Sequence, residues 1–555
     1  MKKIMSPWRR FIYLLKLDER DIRQIFYYAI FAGIVALTLP LGIQAIINLI
    51  QGAQVSTSWI VLVVLVTLGV AFQGVLQLMQ MRILEMVQQK IFTRASFEFA
   101  YRFPKIKMKE LHNYYPPELA NRFFDILTIQ KSLSKILIDF PAAVLQIIFG
   151  LILLSFYHAF FIFYGLLLVV LIYLVFKFTA KKGLDTSLLE SKNKYKVAHW
   201  LQEVSRSLTS FKLSGRTNLA MEKNDYYTSQ YLDARESHFK VLVLQFLQLI
   251  GFKVLVTAGL LSIGGLLVLN QQMNIGQFVA AEIIILLVIT SVEKLIRGLE
   301  SFYDVLTSLE KIGQVVDKEL EEQSGEDPFE LERDLHIELD KLTYRDPEGY
   351  KVLSQLSFNI EKSDRILLDG ESGSGKTTLL KILSGLLTPT YGAFYVNDFS
   401  MIGVWPNKYR AYVGQVLPFQ LPFEGTILEN ITFGRKDISQ EQLHEVLKST
   451  GLLPFIKTQP KGIDTVLYPE GQQIPFTVSK RILLARAIVH KPKLLLLKDP
   501  LEYFENDEAE QLMKYLTAKE RPWALVISSQ NQQWWPYCNK TIEISNGQII
   551  NQANI

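Results

Sequence analysis

The most constraining feature of this sequence is a set of six long apolar segments in its first 300 residues. They lie at 25–48, 58–80, 136–157, 159–179, 243–269 and 275–296. Each has about the 20 residues that a helix needs to cross the hydrocarbon of a bilayer. Every backbone polar group has to be bonded within the chain in that environment, so each segment must be helical. The first half of the chain is therefore predicted to be an all-α transmembrane domain with six spans.

Lysine and arginine are distributed unevenly between the connections. The connections at 49–57, 158 and 270–274 contain neither residue, whereas 81–135 and 180–242 are rich in both. Basic residues accumulate in cytoplasmic connections. This predicts a multi-pass protein of the cytoplasmic (inner) membrane, with the N-terminus, the long connections and the C-terminal half in the cytoplasm. Parts of those connections, 108–117 and 208–218, are predicted to form short turns that touch a soluble partner.

The N-terminal segment 7–17 mixes bulky apolar and basic residues at helical spacing. This pattern predicts an amphipathic helix, within a region 1–20, that lies in the membrane interface with Trp8 and the arginines at headgroup level. The alternative is a helix docked on the protein. The transmembrane domain is predicted at 21–317, and the acidic, polar stretch at 318–334 is predicted to be a linker.

A few polar residues lie within the predicted spans, where an ionised side chain costs about 2.5–3.5 kcal/mol at mid-helix. Lys253 and Asp139 lie towards the cytoplasmic ends of their spans. Glu282 lies at a different depth from Lys253, so no direct pair between these two residues is predicted. Glu282 either lines a central cavity or has a buried, hydrogen-bonded structural role. Pro40 and Gln44 predict a tolerated kink and an interhelical hydrogen bond.

The second constraining feature is a glycine-rich stretch at 370–378, Gly-Glu-Ser-Gly-Ser-Gly-Lys-Thr-Thr. It follows the apolar run 366–368 and precedes a helix-like run at 379–387, which is the context of a phosphate-binding loop. Glycines let the backbone wrap phosphates closely, with its N–H groups pointing inward at a helix N-terminus. Lys376 is predicted to reach the β- and γ-phosphates, and Thr377 to offer its hydroxyl to Mg²⁺. The predicted nucleotide-binding residues in the loop are Gly370, Ser372, Gly373, Ser374, Gly375, Lys376, Thr377 and Thr378.

The surrounding pattern predicts an α/β P-loop NTPase cassette. Apolar and polar residues alternate at 336–342 and 352–360, and buried-strand patterns lie at 493–500 and 523–528. Charged residues make up only 20% of the chain and the net charge is +5, so no nucleic-acid partner is predicted. The single Cys538 excludes an intramolecular disulfide and is predicted to be a packed or partly exposed thiol.

In order and spacing, these features resemble an ABC exporter half-transporter. The resemblance rests on the six spans, the glycine loop, Gly-Thr-Ile-Leu-Glu-Asn-Ile at 425–431, Ala-Arg-Ala-Ile at 485–488 and the strand at 494–500. It is compatible with type I secretion permeases and with lipid or drug exporters. It implies an ABC nucleotide-binding domain at 335–555, ATP as cofactor, and a second half-transporter subunit in a homodimer or heterodimer. Membrane lipids and, for protein secretion, a periplasmic adaptor are the other implied partners.

The catalytic motifs that the resemblance implies are replaced in this sequence. Lys498 stands where the family has its metal-binding aspartate, and Asp499, one methylene shorter, stands where it has the catalytic glutamate. The switch histidine aligns with Gln530, or with Ser529 if the register shifts by one. The signature motif falls on Ile474, Pro475, Phe476, Thr477 and Val478. Proline removes one N–H donor there, and the side chains block the close approach that glycines permit.

Two further positions depart from the family pattern. The adenine-stacking aromatic would fall at Asp346, and Tyr344, two residues earlier on the same strand face, is the substitute. The switch glutamine falls on Pro418 without gaps, or on Gln415 if a short insertion follows. Thr377 and Gln415 are therefore the candidate Mg²⁺ ligands. Whether the site binds Mg²⁺ at all stays open, because the Lys498 ammonium would repel the ion.

These features predict a subunit that exports a peptide, protein or lipid-like substrate, with weak or unconventional ATP hydrolysis. The alternative is a non-hydrolysing scaffold of a secretion complex. In the family each ATP site combines one chain's loop and metal strand with the other chain's signature. A partner with intact motifs would therefore leave one site with Lys498 and the other with the sequence at 474–478, so it would not restore a normal site.

Overall fold

The structure is a computed structural model that describes residues 5–51, 57–330 and 333–554. It contains two compact units, one formed by Met1–Pro104 and Tyr114–Lys318 and the other by Lys105–Asn113 and Glu319–Ile555. Residues 1–4, 52–56, 331–332 and 555 lie outside the described residues, so predictions on them are not tested. They include parts of the predicted N-terminal region 1–20, the connection 49–57 and the linker 318–334.

The first unit is helical, as predicted. Four of its helices have 41 to 47 residues, which at about 1.5 Å per residue is roughly twice the 30 Å hydrocarbon thickness. One π-helical segment, Lys135–Asp139, joins α6 to α7, and another, Leu260–Gly264, joins α10 to α11. The α-helices of this unit are α1 Pro7–Leu17, α2 Glu19–Ala36, α3 Thr38–Gln51, α4 Thr57–Arg102, α5 Pro116–Ala120, α6 Asp125–Ser134, α7 Phe140–Ser155, α8 Phe160–Arg206, α9 Leu208–Leu213, α10 Leu219–Gly259, α11 Gly265–Leu269 and α12 Ile275–Val316.

Within the described residues, five helical stretches are long and apolar enough to cross a membrane. They are Glu19–Gln51, Thr57–Lys105, Pro116–Ser155, Leu219–Leu269 and Ile275–Val316. The remaining predicted span, 159–179, lies on α8, where Phe160–Tyr173 forms a shorter apolar stretch. Side chains at 174–176 and 178–180 are outside the description, so this sixth span stays a prediction.

The predicted roles of Pro40 and Gln44 are confirmed. The α2 helix ends at Ala36, because a proline at position 40 has no N–H to donate to the carbonyl four residues earlier. The Tyr157 hydroxyl donates a hydrogen bond of 2.7 Å to Gln44 Oε1, which joins α3 to the end of α7.

The N-terminal helix α1 is docked on the first unit. Its Phe11 is buried and lies edge-on against Phe302 of α12, with ring centroids 5.7 Å apart. The Arg10 guanidinium binds both carboxylate oxygens of Asp317, one of them at 2.9 Å. The partner of Arg10 is therefore a carboxylate of the protein, and the location of the arginines at headgroup level stays a prediction. Trp8 lies on the same side of the helix as Phe11, with the two ring centroids 5.6 Å apart, and remains exposed.

The charged residues of the spans find partners that the sequence did not indicate. Lys253 Nζ lies 2.5 Å from a carboxylate oxygen of Glu293, and Arg297 binds the other oxygen at 2.6 Å. Lys253 thus pairs with a residue other than Glu282, as predicted. Glu282 is half-buried in α12, and the choice between a cavity-lining and a structural role stays open.

The second unit contains the predicted α/β cassette. Its strands form a four-stranded antiparallel sheet of order β2-β1-β4-β5, a six-stranded sheet of order β12-β11-β3-β10-β9-β6 and the small pair β7-β8. The strands are β1 His336–Arg345, β2 Lys351–Glu361, β3 Arg365–Asp369, β4 Tyr391–Val396, β5 Phe399–Ser400, β6 Val413–Val416, β7 Gly425–Thr426, β8 Val466–Leu467, β9 Leu494–Lys498, β10 Ala524–Ser528, β11 Lys540–Ser545 and β12 Gln548–Asn554. The helices are α13 Lys376–Leu383, α14 Pro406–Arg410, α15 Ile427–Thr432, α16 Gln440–Ser449, α17 Leu453–Thr458, α18 Phe476–Ile488 and α19 Asn506–Thr517.

The six-stranded sheet is covered on both faces, which explains the continuous leucine run of β9. Side chains alternate between the faces of a strand. Leu494 and Leu496 therefore pack on the side of α13, whereas Leu495 and Leu497 pack with α18 and α19. Strands β3, β10, β9 and β6 are parallel, so their carboxyl ends meet at one edge of the sheet. That edge carries the candidate site.

A short segment from the first half of the sequence belongs to the second unit. Ile106 forms a β-bridge with Leu320, and the N–H of Lys107 donates to the carbonyl oxygen of Glu319 at 3.0 Å. The Lys107 ammonium also lies 2.5 Å from the Glu319 carboxylate. Part of the predicted contact segment 108–117 follows as a short 3₁₀ helix, Met108–Leu111, in the same unit.

Candidate functional site

The glycine loop connects the end of β3 to the start of α13. Gly370 and Gly375 have φ angles of +131° and +104°, which side chains rarely tolerate. A Cβ atom at Gly370 would lie 2.0 Å from the carbonyl oxygen of Ile544, and one at Gly375 would lie 2.5 Å from Leu353 Cδ2. Both positions therefore need glycine for backbone conformation and for close packing. The strand–loop–helix context predicted from the sequence is confirmed.

Lys376 is the first residue of α13, and its side chain is buried inside the loop. Its ammonium donates hydrogen bonds to the carbonyl oxygens of Gly370 at 2.5 Å and Glu371 at 2.6 Å, and to Ser374 Oγ at 3.1 Å. Burial and the nearby positive charge of Lys498 lower the pKa of Lys376. The loop therefore holds a cation in its concave side, next to the N-terminus of a helix, where a phosphate group is favoured.

The structure brings three of the predicted motifs to the same edge of the sheet. Ser528 of β10 is in register with Leu368 of β3 on one side and with Lys498 of β9 on the other. The glycine loop follows β3, and Asp499 follows β9 with its N–H bonded to the carbonyl oxygen of Ser528 at 2.9 Å. Ser529 and Gln530 follow β10. These positions were proposed from motif spacing, and the parallel strands make them neighbours.

A cleft of about 560 Å³ opens beside this edge. Of its lining residues only Ser529 and Gln530 were predicted as site positions, and Asp369 is among those that were not. Asp369 Oδ1 accepts a hydrogen bond of 2.7 Å from the N–H of Gly370, so this carboxylate orients the start of the loop. Its position at the end of a buried strand, directly before the glycines, is a sequence signal that could have identified it. The cleft is lined by Leu367, Asp369, Ser529, Gln530, Asn531, Gln532 and Trp535.

Lys498 and Asp499 form an ion pair at the position where the resemblance implies a metal site. Lys498 Nζ lies 2.6 Å from Asp499 Oδ2, and their side chains are 18% and 32% exposed. The carboxylate is thus already neutralised by its neighbour, and the ammonium would repel a divalent cation. Among the described residues, no group of three or more His, Cys, Asp or Glu side chains could hold a metal. The residues present do not fit Mg²⁺.

The two candidate Mg²⁺ ligands differ in their surroundings. Thr377 lies in the first turn of α13, directly after Lys376. Gln415 is in register with the fully buried Leu496, and its Oε1 is buried without a hydrogen-bond partner. This oxygen lies within the sheet, out of contact with solvent. Metal binding by either residue stays a prediction.

Tyr344 lies close to the loop. In the antiparallel pair of β1 and β2 it is in register with Leu353, the residue that Gly375 approaches closely. Tyr344 is half-buried, and burial raises the pKa of its hydroxyl. Asp346 instead caps the turn between the strands by accepting a hydrogen bond of 2.8 Å from the N–H of Tyr350. Adenine stacking on Tyr344 stays a prediction, and its position one strand away from the loop supports it.

The signature position forms the N-terminus of α18. Pro475 precedes the helix and makes no side-chain cap, and the Phe476 ring packs edge-on against Tyr503 with centroids 5.3 Å apart. Lys480, one turn later, lies 5.3 Å from the centre of the Phe476 ring. Two exposed aromatic side chains therefore stand at the helix start where the family signature presents backbone N–H groups.

Sequence comparisons identify both halves of the chain. Residues 24–292 match the sequence profile of the ABC transporter transmembrane region, and residues 353–502 match the profile of the ABC transporter family. Among solved structures, a bacterial Atm1-family ABC exporter with ATP bound superimposes with a TM-score of 0.86 and 15% sequence identity. The superposition covers 97% of this chain and 95% of that one, and it establishes the fold.

Two curated relatives are toxin-translocation proteins. The alpha-hemolysin translocation ATP-binding protein HlyB of Escherichia coli O157:H7 is 27% identical over 55% of this chain and 43% of its own length. The leukotoxin translocation ATP-binding protein LktB of Mannheimia glucosida is 25% identical over 62% of this chain and 49% of its own length. The chain thus matches less than half the length of each of these relatives.

Proposed function

The chain belongs to the ABC transporter family, with the fold of an ABC exporter, and we propose that it is the ATP-binding subunit of a dimeric exporter in the cytoplasmic membrane. The observation that carries this proposal is the buried Lys376 inside the glycine loop, in a chain that also has apolar helices long enough to cross a bilayer. A loop of this geometry, with glycines required at both ends, is suited to a nucleoside triphosphate.

The proposed substrate is a peptide or protein, with a lipid-like molecule as the other class. The names of HlyB and LktB, which refer to toxin translocation, support the first class. A second half-transporter subunit, identical or different, would complete the exporter, and a periplasmic adaptor is the further partner expected for protein secretion. The nucleotide-binding domain and the N-terminus would face the cytoplasm.

The ion pair at the site suggests slow ATP hydrolysis. A general base must hold the attacking water, and a carboxylate that already binds an ammonium has to release it before it can do so. Asp499 is in that situation, at 2.6 Å from Lys498. Gln530, at the switch position, has no titratable group that could replace a histidine. Lys376 and the loop would bind the phosphates, while the machinery for cleaving them is weakened.

A non-hydrolysing scaffold is the second candidate function. The packing of Phe476 on Tyr503 at the signature position favours it, because these rings occupy the place where a partner's phosphate would be bound. In this case the chain would contribute its membrane helices to a secretion complex, and the cassette would serve for folding and assembly.

ATP turnover by the purified chain in lipid vesicles tests the two functions. The decisive variant is Lys376→Ala, and Lys381→Ala on the same helix is the matched control because it removes an equal charge outside the loop. An exporter subunit should show slow turnover that Lys376→Ala abolishes and Lys381→Ala preserves. Turnover that is equal in the wild type and in Lys376→Ala would refute hydrolysis at this site and favour the scaffold.

A further inference from the structure

We propose that the nucleotide site binds a nucleoside triphosphate without Mg²⁺, and that the ammonium of Lys498 supplies positive charge where ABC proteins have a metal-binding aspartate. This inference rests on the proposed function, because it concerns the same site. It goes further by naming the form of the nucleotide and the residue that selects it.

The position of Lys498 is the first argument. It is the last residue of β9 and is in register with Ser528, which is in register with Leu368, two residues before the glycine loop. Lys498 therefore lies at the carboxyl edge of the sheet, near the loop.

The carboxylates near the loop are the second argument. Asp499 is bound to Lys498 at 2.6 Å, and Asp369 is bound to the N–H of Gly370 at 2.7 Å. A divalent cation that entered this edge would meet one ammonium directly and would compete with it for Asp499. Hard cations such as Mg²⁺ need oxygen ligands, and an adjacent ammonium that occupies one of those ligands weakens their binding.

The charge of the ligand is the third argument. A triphosphate without Mg²⁺ carries two more negative charges than its magnesium complex, and the site must compensate them. The pair of Lys498 and Asp499 has no net charge where the family's aspartate and glutamate carry two negative charges, and this difference equals the charge of Mg²⁺. The ammonium of Lys376 and the N-terminus of α13 add further positive charge. The site is therefore better matched to the free triphosphate than to the magnesium complex.

Equilibrium dialysis of radiolabelled ATP against the full-length protein in detergent, with either Mg²⁺ or EDTA, tests the inference. The wild type should bind ATP at least as tightly in EDTA as in Mg²⁺. Lys498→Asp restores a carboxylate at the strand end, so it should bind ATP at least about tenfold more weakly in EDTA than in Mg²⁺. Lys493→Met, at the opposite end of β9, removes an equal charge and should behave as the wild type.

A second variant covers the case in which Lys498→Asp does not fold. Lys498→Met keeps the length of the side chain and removes only its charge, so it should weaken ATP binding in EDTA by about tenfold. A wild type that binds ATP more than about threefold more weakly in EDTA than in Mg²⁺ would overturn the inference and leave the proposed function intact. A wild type that binds ATP in neither condition, like Lys376→Ala, would overturn both.

Discussion

Replacing Gly370 by alanine should destabilise the cassette strongly. At φ +131° an alanine backbone is strained by about 1–3 kcal/mol. The new Cβ would also lie 2.0 Å from the carbonyl oxygen of Ile544, a backbone atom that cannot rotate away. Overpacking of this kind adds about 1–3 kcal/mol, so we expect a total loss of about 3 kcal/mol. For a domain of about 150–250 residues this corresponds to a fall in Tm of about 6–12 °C.

Gly373 provides the matched control for this prediction. It has a left-handed φ of +85° in the same loop, but a Cβ there would meet no atom within 4 Å. Gly373→Ala should therefore cost only the backbone strain, about 1 kcal/mol, and lower Tm by about 2–4 °C. Thermal unfolding of the full chain in detergent can be followed by the fluorescence of Trp523 and Trp534, both of which are buried in the cassette. Equal shifts for the two variants would refute the role assigned to the contact with Ile544.

Three further predictions concern charged or titratable groups. Burial lowers the pKa of His490 to about 4. As the pH falls below about 6.5, only the unfolded chain therefore gains a proton at this residue. Between pH 7.5 and 5.5 the free energy of unfolding of the wild type should fall by about 1.4 kcal/mol more than that of His490→Gln. Glu321→Ala should destabilise the cassette by about 3 kcal/mol, because Arg410 loses the carboxylate that binds its guanidinium at 2.7 and 2.8 Å. Denaturant titrations measure this loss, and an unchanged midpoint would contradict the prediction. Glu293→Ala should cost about 2–3 kcal/mol because Lys253 loses its partner, and adding Lys253→Met should recover most of the loss in the same thermal assay.

Much of the fold could be predicted because its signals are local. The leucines of β9 indicated a strand covered on both faces, and the glycine loop identified the strand before it and the helix after it. The helix predicted at 379–387 was displaced, since α13 is Lys376–Leu383. It begins earlier because the loop lysine is already helical, and it ends earlier because Gly385 adopts a left-handed φ of +71°.

The side-chain pairings could not be predicted because they join distant parts of the chain. Arg10 and Asp317 are 307 residues apart, and their pairing changed the interpretation of the N-terminal helix. The ion pair of Lys498 with Asp499 joins adjacent residues, but the sequence did not show that the carboxylate would be occupied by its own neighbour. The spacing of the motifs along the sequence predicted where Lys498 and Asp499 lie. Only the structure showed that their charges are paired with each other.

The bridge between Ile106 and Leu320 has a consequence for how the protein is made. Residues 105–113 leave the ribosome roughly 200 residues before Leu320, the residue that forms the bridge with Ile106. The cassette cannot be completed until both pieces have been synthesised, so membrane insertion of the intervening helices precedes its final assembly. A fragment that starts at Glu319 would lack this strand partner, and adding a peptide of residues 105–113 should slow its proteolysis.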